Sequence, residues 1–173
     1  MDLIVAVDRH WGIGCGGHLL VHSKKDMAWF REQTRGKTLI YGSRTLCSFP
    51  RREPLPHRRN IVLSRRPGYY VHGAETSGSL ADLSRRLDAA ELANTMVIGG
   101  ADLYRQLLPY CRRALVTRFD GVFDADAFFP DLDAEPAWQC QWADDWRYDA
   151  DAGIRYQFTT YIQTAVRPFC EVE

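Results

Sequence analysis

One acidic residue stands at the start of an apolar helical face. Asp26 precedes Trp29 and Phe30 by three and four positions, so in a helix over 24–34 its carboxyl group shares a face with two aromatic rings. Partial desolvation by such neighbours raises the pKa of a carboxyl group and suits it to proton transfer. An acid at this position can also serve only to complement the helix dipole. Both interpretations stay open at this point.

A glycine pair offers a second kind of chemistry. The apolar run 96–98 predicts a buried strand, Gly99-Gly100 ends it, and apolar residues then recur at helical spacing until Pro109. A strand, tight turn and helix place backbone N–H groups and the positive end of a helix dipole at the carboxyl edge of a sheet, where phosphates bind well. Without Cβ atoms a ligand can approach closely. The alternative is an ordinary strand-to-helix turn.

The glycine-rich segment near the amino terminus matches a dinucleotide fingerprint only in its letters. Gly12, Gly14 and Gly17 have the required spacing, but the fingerprint must open directly into a helix. Here residues 18–22 intervene and Ser23 is the expected N-cap. Residues 8–23 are therefore predicted to form a long loop, of the kind that often covers a site. His18 and His22 in this loop are four residues apart but lack a third ligand, so no metal site is predicted.

Composition limits the class of protein. A chain of 173 residues, 46% of them hydrophobic, is enough for one domain with a core and a bound small molecule. The opening apolar run covers only residues 3–7, too short for a signal peptide or a membrane span. Five scattered cysteines without a Cys-x-x-Cys pair indicate reduced thiols in the cytoplasm.

The charge is balanced overall but unevenly distributed. Residues 1–70 hold 13 Lys/Arg and 5 Asp/Glu, whereas residues 71–173 hold 9 and 17. A basic half suits a polyanionic ligand, either a phosphorylated cofactor or a nucleic acid. The basic residues come in pairs without interleaved aromatic residues, which favours the small phosphorylated ligand.

Strand and helix patterns alternate along most of the chain. Strands are predicted at 3–7, 38–41, 60–63, 69–72, 96–98, 114–119, 138–142 and 155–163, and helices at 24–34, 43–49, 80–90 and 103–108. The tryptophans at 138, 142 and 146 also fit a helical spacing, but strand is preferred there. The pattern predicts an α/β domain with a mainly parallel twisted sheet of about eight strands, flanking helices and an antiparallel carboxyl-terminal edge.

Taken together and in order, these segments resemble dihydrofolate reductases. The resemblance runs from Leu3 to about Thr164 and leaves 165–173 as a tail. It is carried by Ala6-Val-Asp8, Ile13-Gly14, Asp26-Met-Ala-Trp-Phe30, Gly42-x-x-Thr45, Pro54-Leu-Pro-x-Arg58-x-Asn60-Ile-Val-Leu-Ser64, Val97-Ile-Gly-Gly100, Leu115-Val-Thr117 and Phe129-Pro130.

The resemblance implies an enzyme that reduces 7,8-dihydrofolate to tetrahydrofolate with NADPH. Expected partners are the substrate and antifolate inhibitors, with no nucleic acid and no membrane, and the expected state is a cytoplasmic monomer. One alternative is a reductase of the same fold acting on another pterin or an aminopyrimidine. The pair Asp26 and Arg58 argues against it, because it matches a pterin that carries a glutamate tail. The other alternative is a non-enzymatic nucleotide-binding or nucleic-acid-binding module.

The resemblance also implies residue roles for the substrate. Asp26, supported by Thr117, is expected to bind the pterin amino group and ring N–H and to assist protonation. Arg58 is expected to hold the α-carboxylate of the glutamate tail, a bidentate task that suits a guanidinium. The full set of expected substrate contacts is Ile4, Val5, Ala6, Met27, Phe30, Phe49, Leu55, Arg58 and Ile98.

The expected cofactor contacts follow the sheet edge from the nicotinamide to the adenosine end. NADPH supplies the hydride and the protein orients and polarises. The contacts implied are Ala6, Ile13, Gly14, Leu19, Gly42, Ser43, Arg44, Thr45, Leu63, Ser64, Arg65, Ile98, Gly99, Gly100, Ala101, Asp102, Leu103 and Tyr104.

The chain departs from the family pattern at four places. Leu20-Val21 stand where Pro-Trp is usual, which removes an indole donor near the pterin. Ser43 replaces a common arginine, Asp102 puts an acid where an arginine often reads phosphate, and Ala127 replaces a threonine after Asp126. These departures are expected to affect affinity and rate while leaving the acid, the tail arginine and the glycine turn in place.

Overall fold

The predicted alternation of strands and helices is present in the computed structural model, which describes residues 1–172. The first half contains β1 (Asp2–Val7), β2 (Gly12–Cys15), β3 (His18–Leu19), α1 (Lys24–Thr34), β4 (Thr38–Gly42), α2 (Ser43–Cys47), β5 (Arg59–Leu63) and β6 (Glu75–Ser77). The second half contains α3 (Leu80–Arg86), α4 (Ala89–Ala93), β7 (Thr95–Val97), α5 (Ala101–Leu107), β8 (Arg113–Phe119), β9 (Ala127–Phe128), β10 (Trp138–Ala143), β11 (Arg147–Asp149) and β12 (Ile154–Gln163). Short 3₁₀ turns lie at Pro50–Arg52, Leu108–Tyr110 and Phe169–Glu171.

Nine strands form one mixed sheet. Its order is β10-β12-β8-β1-β7-β4-β5-β6, with β11 also paired to β12. The pairs from β8 to β6 are parallel, whereas β12 runs antiparallel to β8, β10 and β11. The predicted α/β class with an antiparallel edge is therefore confirmed.

Side chains alternate between the two faces of the sheet and build two apolar layers. In β1, Leu3 and Val5 join the layer that holds Leu83 of α3 and Leu107 of α5. Ile4 joins the opposite layer. Because the helices cover both faces, the central strands are apolar on both sides. This leaves the edge at the carboxyl ends of the strands as the place for a ligand.

Three predictions about local structure are wrong. Residues 69–72 form turns, and the strand next to β5 is instead Glu75–Ser77, because the carbonyl of Ser77 accepts the N–H of Ser64. The predicted helix over 80–90 is divided, because Asp88 and Glu91 form a capping box that starts α4. The predicted loop 8–23 contains β2 and β3, which pair with each other, and β2 also pairs with β9 to form a small second sheet.

The carboxyl-terminal segment is attached to the core. Phe169 is buried and its ring lies 5.4 Å from that of Tyr110. The division into a domain over 1–164 and a tail over 165–173 stays a prediction, and residue 173 lies outside the described residues. All five cysteines are unpaired. Within residues 1–172 no helix has the length and apolar character needed to cross a membrane.

Candidate active site

Asp26 lies buried in the first turn of α1, facing the antiparallel part of the sheet. Its backbone N–H donates to Oγ of Ser23 at 3.1 Å, and that hydroxyl donates to Asp149 at 2.6 Å, so the helix start is tied to β11. Burial raises the pKa of Asp26, and the nearby Thr117 hydroxyl only partly offsets this effect. The raised pKa favours the proton-transfer interpretation over that of a simple helix-start acid.

Two polar atoms beside Asp26 lack partners. Among residues 1–172, Thr117 Oγ1 and Trp29 Nε1 are buried side-chain atoms that make no hydrogen bond of normal distance and angle. Thr117 is paired with Phe158 across β8 and β12, and the Trp29 ring stacks on Phe158 at 4.5 Å. Buried polar groups without partners are rare, so this corner suits a polar ligand or ordered water.

Most of the expected substrate contacts share one apolar layer with this acid. Ile4, Ile98, Phe30, Phe49 and Leu55 all belong to it or pack against it. The side chains of two further expected contacts lie elsewhere. Val5 packs into the opposite layer, which leaves only its backbone for the cleft, and Met27 is 39% exposed on the outside of α1.

Arg58 lies against the last turn of α1, at the far end from Asp26. Its Nε donates to Thr34 Oγ1 at 3.0 Å, and its terminal nitrogens donate to the carbonyls of Pro56 at 2.7 Å and Arg31 at 3.4 Å. Burial lowers the pKa of Arg58, as do the charges of Arg35 and Arg31. No carboxylate within residues 1–172 forms an ion pair with it. The guanidinium is positioned by neutral acceptors and keeps capacity for an anion.

Asn60 holds the loop that carries Leu55 and Arg58, a role that the sequence analysis missed. Its side chain accepts the N–H of Leu55 at 3.1 Å and the hydroxyl of Tyr41 at 2.9 Å, and donates to the carbonyls of Leu55 and Arg58. A buried asparagine inside an apolar strand was the available signal, because such a side chain must satisfy its polar atoms.

The cofactor end of the cleft contains two helices that begin without side-chain caps. Ser23, Ser79 and Asp88 cap α1, α3 and α4 with their side chains, whereas α2 and α5 begin at Gly42 and Gly100, which have none. The first N–H groups of α2 and α5 are therefore left for another acceptor. The two starts are adjacent, since the Gly42 N–H donates to the Gly99 carbonyl at 2.8 Å.

Gly99 is required by its surroundings. Its φ is +99°, and an added Cβ would lie 2.6 Å from the ring of Tyr104. That ring is fixed because its hydroxyl donates to the carbonyl of Ile4 at 2.6 Å. The N–H groups of Leu103 and Tyr104 both donate to Gly100 and are already used within the turn. Of the expected contacts on α5, Ala101 and Asp102 therefore remain as backbone donors, together with Gly100.

At the expected adenosine end, residues 64–69 and 76–78 line a cavity of about 300 Å³, and the lining includes Ser64, Arg65 and Arg66. Arg44 on α2, Arg65 and Arg66 all lack an ion pair within residues 1–172. The Leu63 side chain packs against the layer of α3 and α5 and does not line this cavity. An anionic adenosine moiety matches this surface.

The loop over the nicotinamide end is organised by Asp8, another residue that the sequence analysis did not assign. Its carboxylate accepts the N–H groups of His10 and Gly12 at 2.8 Å each and that of Phe123 at 3.0 Å. The space enclosed by Ala6, Gly12, Ile13 and Leu19–Val21 is only about 10 Å³. Leu19, at the edge of this space, is 47% exposed.

The departures from the family pattern have visible consequences. Asp102 is exposed and forms an ion pair with Arg105. Ala127 pairs with Gly14 between β9 and β2, while Asp126 accepts the N–H of Gly16 at 2.8 Å. Val21 packs against the cluster of Phe119, Tyr156 and Phe158.

The residues present fit a bound dinucleotide. One edge of the sheet carries three features that suit a dinucleotide. They are two helix starts without side-chain caps, Gly99, where a Cβ atom would clash with Tyr104, and unpaired arginines beside a cavity. With a buried acid at the other end, the fold and the site define an oxidoreductase that uses a nucleotide cofactor on a small ring compound.

Comparison with known proteins identifies the family. The family model for dihydrofolate reductase matches residues 1–163. The chain is 36% identical to a dihydrofolate reductase of Neisseria meningitidis serogroup B over 94% of this chain and 98% of that protein. It is 39% identical to a dihydrofolate reductase of Mycobacterium tuberculosis over 86% of this chain and 89% of that protein. The chain belongs to the dihydrofolate reductase family, and it is an NADPH-dependent oxidoreductase.

A solved structure has the same fold. The dihydrofolate reductase from Enterococcus faecalis, complexed with NADP(H) and RAB-propyl, matches with a TM-score of 0.80 and 27% identity. The match covers 94% of this chain and 95% of that one. The resemblance stated from the sequence motifs is confirmed.

Proposed function

We propose that this protein reduces 7,8-dihydrofolate to 5,6,7,8-tetrahydrofolate with NADPH, and that Asp26 manages the proton. The observation that carries the proposal is the burial of Asp26 beside Thr117, whose hydroxyl lacks a partner. A pterin presents an amino group and a ring N–H that would satisfy both side chains at once. The non-enzymatic alternative gives no reason for a buried acid at this position.

The substrate ring is proposed to lie between Ile4 and Phe30, with Ala6 beside it at the end of β1. Phe49 and Leu55 then pack the aminobenzoyl group, and Arg58 binds the α-carboxylate of the glutamate. The length of α1 sets this arrangement, since Asp26 and Thr34 are eight residues, or about 12 Å, apart along the helix. Because Arg58 contacts the last turn of α1, this helix fixes the spacing between the two groups that would bind the ends of the substrate.

Asp26 is proposed to hold a proton close to the ring nitrogen that must be protonated during reduction. In its neutral form the carboxyl group can pass a proton through water, and as a carboxylate it stabilises the protonated pterin. Burial keeps its pKa above the ordinary value, so the acid form persists to higher pH than for a free aspartate.

The cofactor is proposed to lie along the edge from Ile13 to Arg65. When bound, NADPH supplies the hydride. The N–H groups at the starts of α2 and α5 would hold the pyrophosphate, Thr45 would add a hydroxyl, and Arg65 would face the adenosine ribose. Antifolates would occupy the substrate part of the same cleft. We also propose that the enzyme works in the cytoplasm as a monomer, in keeping with its five unpaired thiols.

The direct test follows NADPH absorbance after dihydrofolate is added. We expect a saturable decrease that a diaminopyrimidine antifolate blocks. Consumption only with an unrelated pterin would favour the alternative reductase. Steeply salt-dependent binding of RNA or DNA, with no NADPH consumption, would favour the nucleic-acid module.

A further inference from the structure

Trp11 has a backbone conformation that tryptophan rarely adopts. Its φ is +61°, and among the non-glycine residues with positive φ within residues 1–172 it is the one that is buried. For a bulky side chain such a conformation is strained, and it persists only where the surroundings impose it. Trp11 stands between Asp8, which organises the loop, and Ile13, an expected nicotinamide contact. The strain is therefore located where this loop leaves β1.

The ring of Trp11 is enclosed by side chains from three other parts of the chain. It stacks on Phe129 with the ring centroids 6.2 Å apart, and it meets the ring of Tyr161 edge-on at 6.1 Å. The guanidinium of Arg118 lies over it, 5.0 Å from the ring centroid, which is within the range of a cation–π interaction. Only 5% of Trp11 is exposed. The indole is thus held on both faces and at its edge.

Arg118 is itself held in place over the indole. Its Nη1 donates to Asp133 at 2.8 Å and to the Tyr161 hydroxyl at 2.9 Å, and that hydroxyl donates to Asp133 at 2.6 Å. These three side chains form a closed set of hydrogen bonds between β8, β12 and the segment after β9. Because each member positions the other two, the guanidinium has little freedom, and the ring beneath it is fixed.

The backbone of Trp11 joins the loop to the segment that follows β9. Its carbonyl accepts the N–H of Phe129 at 2.8 Å, and its own N–H donates to the carbonyl of Asp8 at 3.1 Å. Ile13, two residues further on, packs against the apolar layer that contains Trp11. By contrast, residues 15–19 are exposed. Trp11 therefore fixes the end of the loop that leads to the expected nicotinamide contacts, while the tip lies outside the core.

We propose that Trp11 is a positioning residue for NADPH. It acts through Ile13 and Gly14, whose backbone groups are expected to face the nicotinamide, by holding this part of the loop against the core. The inference rests on the placement of the cofactor under the proposed function. Core packing alone accounts for the burial of the indole, but it gives no reason for a bulky residue at a positive φ that glycine adopts without strain. Asp26 and Arg58 are positioned by α1, so substrate affinity is independent of this residue.

Trp138 provides a matched control, because it is also 5% exposed and belongs to the same apolar layer but lies on β10. The test measures the Kd of NADPH by calorimetry at a temperature where each variant is folded. Trp11→Leu should weaken NADPH binding about tenfold and the more conservative Trp11→Phe about threefold. The variants Trp138→Leu and Trp138→Phe should stay within about twofold of the wild type. The Kd of a diaminopyrimidine antifolate should stay within about twofold in all four variants.

Melting temperatures separate packing from positioning. Loss of either indole should lower the melting temperature, since each variant removes a large buried ring. A loss of stability alone leaves the Kd unchanged while the protein stays folded. If Trp11→Leu does not fold, the two phenylalanine variants decide by the same comparison.

Three results would overturn the inference and leave the proposed function intact. They are a wild-type NADPH Kd in the variants of Trp11, an equal loss in the variants of Trp138, or an equal loss of antifolate affinity when Trp11 is changed. A wild-type protein that binds the antifolate but no NADPH would instead reject the proposed function and, with it, this role of Trp11.

Discussion

Two adjacent arginines show how differently the two regions of this molecule treat polar groups. Arg59 forms hydrogen bonds with Glu75 of β6 and Glu91 of α4, and so joins three elements at the closed side of the sheet. Arg58 points the other way and is held by a hydroxyl and two carbonyls. One side chain completes the fold, and the other is positioned but left unneutralised. The difference separates residues that stabilise from residues that bind.

The helix starts repeat the same contrast. Side chains cap α1, α3 and α4, whereas α2 and α5 begin at glycines that face the cleft. Because backbone N–H donors are satisfied at the other helix starts and left open along this edge, the edge is the expected place for a ligand.

The largest effect is expected from Asp26→Asn. The amide keeps the size of the side chain but deletes its acidity, so the hydride-transfer rate at pH 7 should fall about a hundredfold. Stopped-flow measurement of NADPH oxidation would show this, with activity recovering as pH is lowered and solvent supplies the proton. NADPH affinity should stay nearly constant. A variant with the wild-type rate and pH profile would reduce Asp26 to a helix-start acid.

The same variant should be more stable than the wild type at neutral pH. Burial raises the pKa of Asp26 in the folded state above its unfolded value of 3.8, so folding favours the protonated form. The stability that this preference contributes is fully present below the unfolded pKa and is lost as pH rises through the folded pKa. Urea unfolding of Asp26→Asn and wild type should show a gap at pH 7 that shrinks toward pH 4. An unchanged gap would contradict the raised pKa.

The arginine pair gives the second comparison. Arg58→Gln should raise the KM for dihydrofolate about thirtyfold, since a charge-assisted contact contributes roughly 1.5–3 kcal/mol. The free energy of unfolding should change little. Arg59→Gln should show the reverse, with a loss of about 1 kcal/mol in stability after allowance for its partial exposure, and a normal KM. Similar kinetic effects from both variants would mean that the loop moves as one unit and that the contrast is false.

A designed cap tests the helix starts. Gly42 has extended backbone angles and open space around its Cβ position, so Gly42→Asp can fold. The new carboxylate should accept the free N–H groups of α2 and repel phosphate, which would weaken NADPH binding about tenfold while stability stays within a few tenths of a kcal/mol. The mirror variant Ser79→Ala should lose about 1 kcal/mol of stability and bind NADPH normally. NADPH binding unaffected by Gly42→Asp would remove α2 from the cofactor site.

Short-range features of this fold could be predicted from the sequence, and long-range ones could not. The start of α1 at Ser23 and the turn at Gly99-Gly100 follow from local chemistry, namely a capping hydroxyl and missing Cβ atoms. The hairpin of β2 and β3 depends on pairing with β9, more than a hundred residues later in the chain. Tyr69 and Tyr70 are residues typical of strands, but the strand that pairs with β5 is Glu75–Ser77.

The candidate site shows the same limit. Asp26 stands out in the sequence because it shares a helical face with two aromatic residues, whereas Arg58 was assigned only through the resemblance to the family. Asp8 and Asn60 act by accepting or donating hydrogen bonds to backbone groups that only the folded chain brings near. The roles of the contact residues stay predictions until ligand binding is measured. The structure adds one fact about the departure at Leu20-Val21, which is that Val21 packs against Tyr156 and Phe158.

The smallest effect is expected at the adenosine end, where three unpaired arginines are available and each is exposed. Arg65 follows β5 directly and lines the cavity, so it is the best placed to contact a 2′-phosphate. Arg65→Ala should lower the preference for NADPH over NADH about fivefold, less than a buried contact would give because solvent screens the charge. The ratio of kcat/KM for the two cofactors is the measurement. Arg66→Ala and Arg44→Ala distinguish the neighbours: an effect confined to one of them moves the contact within the cluster. If all three variants keep the wild-type ratio of kcat/KM for NADPH and NADH, the preference for NADPH does not depend on these arginines. Their lack of an ion pair would then not mark a binding role, in contrast to Arg58.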